Sequence, residues 1–383
     1  MQLQTFRVTN YRNILDSGDV EVGRIAALVG QNECGKSNLL SALNGLNAFD
    51  GSGYTLHQDW PIDRWPPPAE PATVCSATFL LDPEDIAELF KVAAPQPSDG
   101  ATALAKPSSM SIIVSKNYAN KLFVDLGEWN EKLVSDKATK VIQERMPKCV
   151  YVDEYTIFNG SHPNFPDLHS RMGQPQNVRP EERTLLIALD LAALNLSSLI
   201  NVDANRRTFF TTASSSTLSR RFSDKWNQRE VQFDIRVDGT NLMIYVLDEG
   251  LRAPIPLERR SAGFRWYVSF IWRFTHASNG EFRNCILLLD EPGVRLHHAG
   301  HADLLAFLNT LANTNAVIYT THLATMIDPA YPERIRIMEV HEHHGQIINS
   351  VVSNQQKPMM VIEATLGLAG GMSGLLGMRQ NLI

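Results

Sequence analysis

Residues Gly30 to Ser37 read GQNECGKS and fit the spacing G-x-x-x-x-G-K-[ST]. No other eight residues restrict the fold of this chain so tightly. The apolar run Ile25-Ala-Ala-Leu-Val29 leads straight into them, and leucines at helical spacing follow from Ser37 to Leu46. A strand feeding a glycine-rich turn that opens a helix is the architecture this pattern needs. Backbone N–H groups of Gly30, Gln31, Asn32, Glu33, Cys34 and Gly35 then point inward and cradle phosphate oxygens. The positive end of the helix adds roughly half an elementary charge to that cradle. Lys36 supplies a mobile cation for the β/γ-phosphates, the Ser37 hydroxyl is placed to ligate Mg²⁺, and Asn38 completes the first turn. The chain is expected to bind a nucleoside triphosphate with magnesium.

A phosphate loop alone does not establish hydrolysis. The residues Cys285-Ile-Leu-Leu-Leu-Asp290-Glu291-Pro292 supply what is missing. Five apolar residues predict a buried parallel strand, and two carboxylates stand at its C-terminal end, where ligands bind in open α/β sheets. Asp290 is placed to ligate the metal and Glu291 to act as general base on the attacking water. Downstream, Ala316-Val-Ile-Tyr-Thr-Thr321-His322 predicts another strand, ending in an imidazole that orients water or donates to the γ-phosphate. Between these, Ser261 and Gly263 stand at the start of an amphipathic stretch reaching Phe274, a second helix N-terminus suited to an anion.

Phosphate loop, Ser-x-Gly cap, Asp-Glu strand and strand-end histidine occur in the order of the ATP-binding-cassette superfamily, and the resemblance is to its RecF/SMC-like branch. It implies a cap that reaches the γ-phosphate of the opposite subunit, so that a homodimer or higher homo-oligomer encloses ATP between chains. The opening Phe6-Arg-Val-Thr-Asn-Tyr-Arg12 is similar to that branch as well, which implies that Arg12 approaches the nucleotide; on sequence alone it is equally an exposed turn cation. The gap between Ser37 and Asp290 holds no sustained heptad run of the kind chromosome-scale clamps carry. A short insertion in its place resembles the OLD (overcoming lysogenization defect) family of ATPases. Gly293 stands where an acidic residue is more usual in that family, and Arg265 where a glutamine is.

The resemblance implies an α/β fold: a cassette-type ATPase head from residues 1–65 and 230–355, with an inserted subdomain at 66–229 that includes a helical arm at about 179–228. Strands are expected near Val74 to Leu81, Ser111 to Val114 and Lys121 to Leu126, helices at Arg179 to Leu199 and Asp203 to about Gln228, and a hairpin around Asp238-Gly239. The glycine-rich segment 356–383 is similar to the linker that leads into a Toprim nuclease domain in OLD proteins. The resemblance thus implies an ATPase that regulates DNA cleavage in anti-phage defence, through a linked nuclease domain or a separate effector. A RecF-like DNA repair ATPase without nuclease and a nucleotide-gated scaffold for a partner are the alternatives. No nuclease carboxylate cluster is visible, so this chain alone is not expected to cut DNA.

The remaining signals are weighed against bland readings. A formal charge of −6 argues against a surface coated for nucleic acid. Even so, Arg206, Arg207, Arg220, Arg221, Lys225 and Arg229, interleaved with Phe209, Phe210, Phe222 and Trp226, are the best candidates for DNA phosphates. An amphipathic helix with solvated charges is the slightly preferred account. His297, His298 and His301, with His341, His343 and His344, invite a zinc site; the missing glutamate at zinc-protease spacing favours structural roles. Four cysteines without a C-x-x-C pair read as free thiols. No apolar run reaches the roughly 20 residues of a membrane span, and no signal peptide opens the chain, so a cytoplasmic protein is expected.

Overall fold

Alternation of apolar and polar residues starts at the second position. β1 (Gln2–Tyr11) turns Leu3, Phe6, Val8 and Tyr11 inward and leaves Gln2 and Arg7 outside. The computed structural model describes residues 1–95, 104–223, 231–248, 250, 252–294, 296, 298–328, 330–341 and 344–349. The chain divides into two compact units, Met1–Tyr151 with Arg283 onward, and Val152–Phe282.

In the first unit, β1 continues through β2 (Ile14–Asp16), β3 (Val20–Glu21) and β4 (Ile25–Val29) into α1 (Lys36–Leu46). A short α2 (Leu56–Asp59) precedes β5 (Thr73–Leu80), α3 (Pro83–Ala93), β6 (Ser111–Asn117), β7 (Leu122–Asp125), α4 (Ser135–Arg145) and β8 (Lys148–Val152). One sheet is antiparallel, in the order β2-β1-β5-β6-β7 with β3 also on β1. The chain returns to this unit in β12 (Cys285–Leu289), α9 (His298–Leu311), β13 (Ala316–Thr321), β14 (Ile335–His341) and β15 (His344–Asn349). The second sheet runs β15-β14-β4-β13-β12-β8, with β14, β4, β13 and β12 parallel. All five residues of β4 and all five of β12 are buried, the continuous apolar pattern of strands covered on both faces. Helix α1 packs against both sheets; its Leu39, Leu40, Leu43 and Leu46 share one core with Phe6, Phe79, Leu288 and Ile318.

The second unit holds α5 (Phe165–Arg171), α6 (Pro180–Leu191), α7 (Ala204–Ser223), the strands β9 (Val231–Asp238), β10 (Asn241–Asp248) and β11 (Ile255–Pro256), and α8 (Ala262–Ala277). β9 and β10 form the expected hairpin, with Asp238 opposite Asn241 and Gly239 in the left-handed region. Helix α7 closes the free edge of β9 with side chains: the Ser219 and Ser215 hydroxyls accept from the backbone N–H groups of Phe233 and Ile235, both at 2.8 Å. An edge strand thus has its outward amides satisfied without another strand.

The division of the chain differs from the sequence boundaries at 66 and 229. Residues 66–151 pack in the first unit, where β5 pairs with β1 from Gln2 to Val8. Residues 230–282 belong with the helices of the second unit. The expected helix from Arg179 to Leu199 stops at Leu191, where Ala193 turns left-handed and the Asn195 side chain caps a short 3₁₀ turn at Leu196–Leu199. Helix α7 is 20 residues long, so nothing among the described residues has the length of a coiled-coil arm. Likewise, no described helix is long and apolar enough to cross a membrane. Residues 356–383, with the glycine-rich linker reading, lie outside the described residues.

Candidate nucleotide site

The parallel register assembles the site. Val29 of β4 stands beside Thr321 of β13, and Leu289 of β12 beside Tyr319. Gly30, His322 and Asp290 therefore leave three adjacent strands at the same edge. With strands about 4.8 Å apart, β4 and β12 are about 10 Å from each other across β13, the reach of a metal-bound triphosphate.

The loop from Gly30 to Gly35 is wedged against β14. A Cβ on Gly30 would lie 2.4 Å from the Met338 carbonyl oxygen, and one on Gly35 would lie 2.8 Å from the Asn13 side chain. Gly35, at φ +104°, holds a backbone shape that L side chains rarely adopt, and Glu33 is left-handed too. Gln31, Asn32, Glu33 and Ser37 are exposed, whereas Cys34 and Lys36 are buried. The Lys36 ammonium donates to the carbonyls of Gly30 and Gln31, both at 2.9 Å. Burial pushes the Cys34 thiol up; the Lys36 charge opposes that shift and the Glu291 carboxylate adds to it. Loop, lysine and strand-end carboxylate are electrostatic neighbours.

Arg12 also reaches this place. Its backbone is left-handed, and its guanidinium donates to Asp59 Oδ1 and to Asn38 Oδ1, both at 3.1 Å. Asn38 donates in turn to Asn13 Oδ1 at 2.8 Å, and Asn13 to the Glu33 carbonyl at 3.3 Å. A chain of polar contacts thus runs from the buried Asp59 to the phosphate loop. The family resemblance pointed at Arg12; nothing in the sequence gave a sign of Asp59, the last residue of α2, or of Asn13 in the turn after β1.

At the opposite flank, His322 Nδ1 lies 2.9 Å from Glu291 Oε2, and the His322 backbone N–H points to the same oxygen at 3.3 Å. Glu291 sits at φ +49°, an uncommon conformation for a residue with a side chain. Both oxygens of Asp290 accept hydroxyl donors, Thr320 at 2.6 Å and Tyr151 at 3.1 Å. The sequence reading passed over these two hydroxyls: each is one residue of a mostly apolar strand.

Ser261 and Gly263 belong to the second unit. The Ser261 hydroxyl accepts from the Phe264 N–H at 3.2 Å as the N-cap of α8, a helix of 16 residues, and Gly263 is buried in its first turn. Arg265 donates to the Asn159 carbonyl at 2.8 Å, a contact made by the long guanidinium.

Of the histidines weighed for zinc, His301 and His344 make polar contacts within the fold. His301 is buried, 2.9 Å from the Gly293 carbonyl and 2.8 Å from Thr325 Oγ1. At Gly293 an added Cβ would meet the Met326 side chain at 2.7 Å, so any larger residue there needs that side chain to shift. His344 pairs with Asp63 at 2.7 Å, and His341 is exposed. His297, His343 and the side chain of His298 lie outside the described residues. Of the basic and aromatic residues proposed for DNA, Arg207 donates to the Leu199 and Gly239 carbonyls and Phe222 is buried against Phe233. Phe209, Arg206, Arg220 and Arg221 are exposed on α7, while Lys225, Trp226 and Arg229 lie outside the described residues.

No protein-family model matches the chain. An uncharacterised protein of Methanocaldococcus jannaschii, MJECL43, is 28% identical over 147 residues, 37% of this chain. The match spans 36% of that relative's length. Among solved structures, the Smc head domain with an extended coiled coil from Pyrococcus furiosus, bound to the C-terminal domain of ScpA, is similar with a TM-score of 0.49 at 14% identity, over 95% of this chain and 99% of that one. The SmcHead bound to the C-winged helix domain of ScpA gives 0.48 at 14%, over 92% and 99%. The recombination mediator RecF gives 0.43 at 12%, over 90% and 98%. Nothing about activity follows from likeness this distant. The site rests on its own geometry: a lysine-bearing phosphate loop facing an Asp-Glu pair across one strand of a parallel sheet.

Proposed function

We propose that this chain is a magnesium-dependent ATPase head, working as a homodimer with composite sites and regulating DNA cleavage in anti-phage defence, through a linked Toprim nuclease domain or a separate effector. The observation that carries the ATPase reading is the convergence of Lys36, Asp290, Glu291 and His322 at one edge of three adjacent parallel strands. The nuclease and defence parts rest on the resemblance of the motifs to OLD proteins. The absence of a long described helix fits a compact head better than a chromosome-scale clamp.

The donor set fits magnesium rather than a metal caged by protein. Among the described residues no three His, Cys, Asp or Glu side chains are grouped to hold an ion. Ser37 and Asp290 offer two hard oxygens, leaving the remaining positions to phosphate and water, as Mg²⁺ favours. When bound, the ion neutralises charge on the transferring phosphoryl group. Loop amides and the α1 N-terminus bind the phosphates. Lys36 exchanges two neutral carbonyl partners for charged phosphate oxygens, and its flexible stem lets it do so. Glu291 takes the proton of the water as the water oxygen bonds to the γ-phosphorus and the bond to ADP breaks. His322 holds Oε2 of that carboxylate and fixes its orientation. Ser261 and Gly263 present the α8 N-terminus to the triphosphate of the second copy.

Steady-state phosphate release and sedimentation test this reading on the chain and its Glu291→Gln variant, with and without Mg·ATP. The expected result is turnover in the wild type, little in the variant, and an ATP-dependent dimer that the variant retains. Equal near-zero rates in both proteins, with no change of mass, would remove the ATPase and the dimer together.

A further inference from the structure

Two hydroxyls that no motif announces hold the strand-end carboxylates. Thr320 is wholly buried in β13, between β4 and β12. Its Oγ1 donates to Asp290 Oδ1 at 2.6 Å and accepts from the Glu291 backbone N–H at 2.8 Å. A threonine hydroxyl has a single proton, and here that proton points to the aspartate while a lone pair takes the amide hydrogen. Tyr151 reaches Asp290 from the other side: β8 flanks β12 opposite β13, and the phenol donates to Asp290 Oδ2 at 3.1 Å. The carboxylate is thus fixed at both oxygens from two neighbouring strands.

Glu291 needs a restraint of a different kind. Its left-handed backbone at φ +49° is one that persists only where the surroundings over-determine it. The Thr320 hydroxyl on its amide and His322 on its carboxylate are two such restraints. One buried side chain therefore touches both the metal carboxylate and the turn that aims the base.

Building on the Mg·ATPase reading, we propose that Thr320 is a positioning residue: its hydroxyl sets the rotation of Asp290 and the turn of Glu291 together, and Tyr151 locks the second oxygen of Asp290. Metal affinity and turnover are then coupled through one hydroxyl. Loss of the Thr320 hydroxyl lowers both, whereas loss of the Tyr151 hydroxyl acts through Asp290 alone.

The test uses Thr320→Val, which keeps shape and removes the hydroxyl, Thr320→Ser, which keeps the hydroxyl, and Tyr151→Phe. Three quantities are read: Mn²⁺ affinity of the ATP-loaded protein by electron paramagnetic resonance, binding of fluorescent ATP without metal, and phosphate release against magnesium. Thr320→Val is expected to weaken Mn²⁺ about tenfold, the size of one lost hydrogen bond to a charged group, and to slow turnover at saturating magnesium by about tenfold or more. Metal-free ATP binding stays within about twofold of wild type, and Thr320→Ser recovers both losses. Tyr151→Phe is expected to weaken Mn²⁺ by about threefold, as for a longer bond to the same carboxylate. Thr320→Val with wild-type metal affinity and turnover, or Thr320→Ser as impaired as Thr320→Val, overturns the proposal. If Thr320→Val does not fold, Tyr151→Phe decides, and an unchanged Mn²⁺ affinity there counts against the clamp. A wild type that neither binds ATP nor releases phosphate refutes the ATPase reading and the clamp with it; an active wild type beside an unaffected Thr320→Val refutes the clamp alone.

Discussion

Alanine at Gly30 and alanine at Gly18 separate two reasons for a glycine in this chain, close backbone approach and left-handed backbone. Gly30 has no left-handed strain, but a Cβ there would meet the Met338 carbonyl oxygen at 2.4 Å and Cys34 Sγ at 2.8 Å. Ordinary contact between such atoms is about 3.2 Å or more, so the loop and β14 would have to part by nearly 1 Å. The carbonyl cannot swing away as a side chain would, because β14 is paired in parallel with β4, Ile337 beside Val29. Overpacking of this kind costs roughly 2–3 kcal/mol. Gly18 is the reverse case: φ is +67° and nothing lies within 4 Å of a built Cβ. Alanine there meets only the left-handed backbone penalty, about 1 kcal/mol. For a unit of this size each kcal/mol shifts the midpoint by about 2–4 °C, so Gly30→Ala is expected to lower it by roughly 4–12 °C and Gly18→Ala by roughly 2–4 °C. Differential scanning calorimetry reads both, and titration with fluorescent ATP adds the functional side. Gly30→Ala should lose nucleotide binding as the cradle shifts, while Gly18→Ala keeps it. Equal midpoints for the two variants would refute the claim that the loop is braced on the β14 backbone.

Three other outcomes follow from the geometry. Glu291→Gln removes the proton acceptor but keeps the side-chain shape, so phosphate release falls about 10²–10⁴-fold while ATP binding survives; unchanged release would relieve Glu291 of its role. In the second unit Glu182 is buried and accepts from Arg171 at 2.7 and 2.9 Å and from Arg179 at 3.0 Å, and the Arg171 pairing above all draws its carboxyl down to about 2. A depressed carboxyl stabilises the fold above its unfolded pKa and loses that contribution as pH falls through the folded one. About 3 kcal/mol should therefore drain away between roughly pH 5 and pH 2, seen as an acid slope in urea unfolding that Glu182→Gln lacks; the same slope in the variant would count against the assignment. The cysteines Cys34, Cys75, Cys149 and Cys285 are buried free thiols raised by burial, Cys149 and Cys285 to about 12. Ellman's reagent is expected to react with none of them quickly in the folded protein and with all after denaturation; rapid labelling of the native chain would show the packing to be wrong.

What the sequence made legible is what lies along a few consecutive residues. The run from Ile25 to Leu46 encodes strand, turn and helix in one stretch, and Cys285 to Glu291 encodes a buried strand with its polar end. The hairpin at Gly239 was legible for the same reason, since a two-residue turn and alternation on both sides are local. The helices α3 and α4 escaped notice although Asp82, Pro83 and Asp85 make a capping box at the start of α3. Each is 11 residues long and lies between strands, where a short amphipathic pattern is easily taken for a loop. The unit boundaries were not legible because they depend on pairing at long range: β5 completes the sheet of β1 from more than sixty residues away. No composition shift near residue 66 or 229 could announce that.

The candidate site divides along the same line. Residues assigned to phosphate or metal announce themselves because the chemistry proposed for them restricts the type: glycine where an added Cβ would lie 2.4 Å from the Met338 carbonyl, lysine for a mobile cation, adjacent carboxylates at a strand end. Residues that aim those groups do not, because a hydroxyl in a strand serves packing as well as polarity. Thr320 follows Tyr319 in a run that reads as simple β-former, and Tyr151 is the last but one residue of another. Only the register between β12 and β13, with Leu289 beside Tyr319, brings the Thr320 hydroxyl to Asp290 rather than one residue away. A slip of a single residue would turn that hydroxyl to the other face of the sheet. Side chains at the edge of this sheet thus inherit their accuracy from its apolar interior, where β4 and β12 are buried at every position. A substitution that loosens the interior of β13 is therefore expected to disturb Asp290 and Glu291 before it unfolds the unit, so Ile318→Ala should weaken metal binding at temperatures where the circular dichroism of the unit is unchanged. Metal affinity that holds constant until the unit melts would show that the site does not depend on the register beneath it.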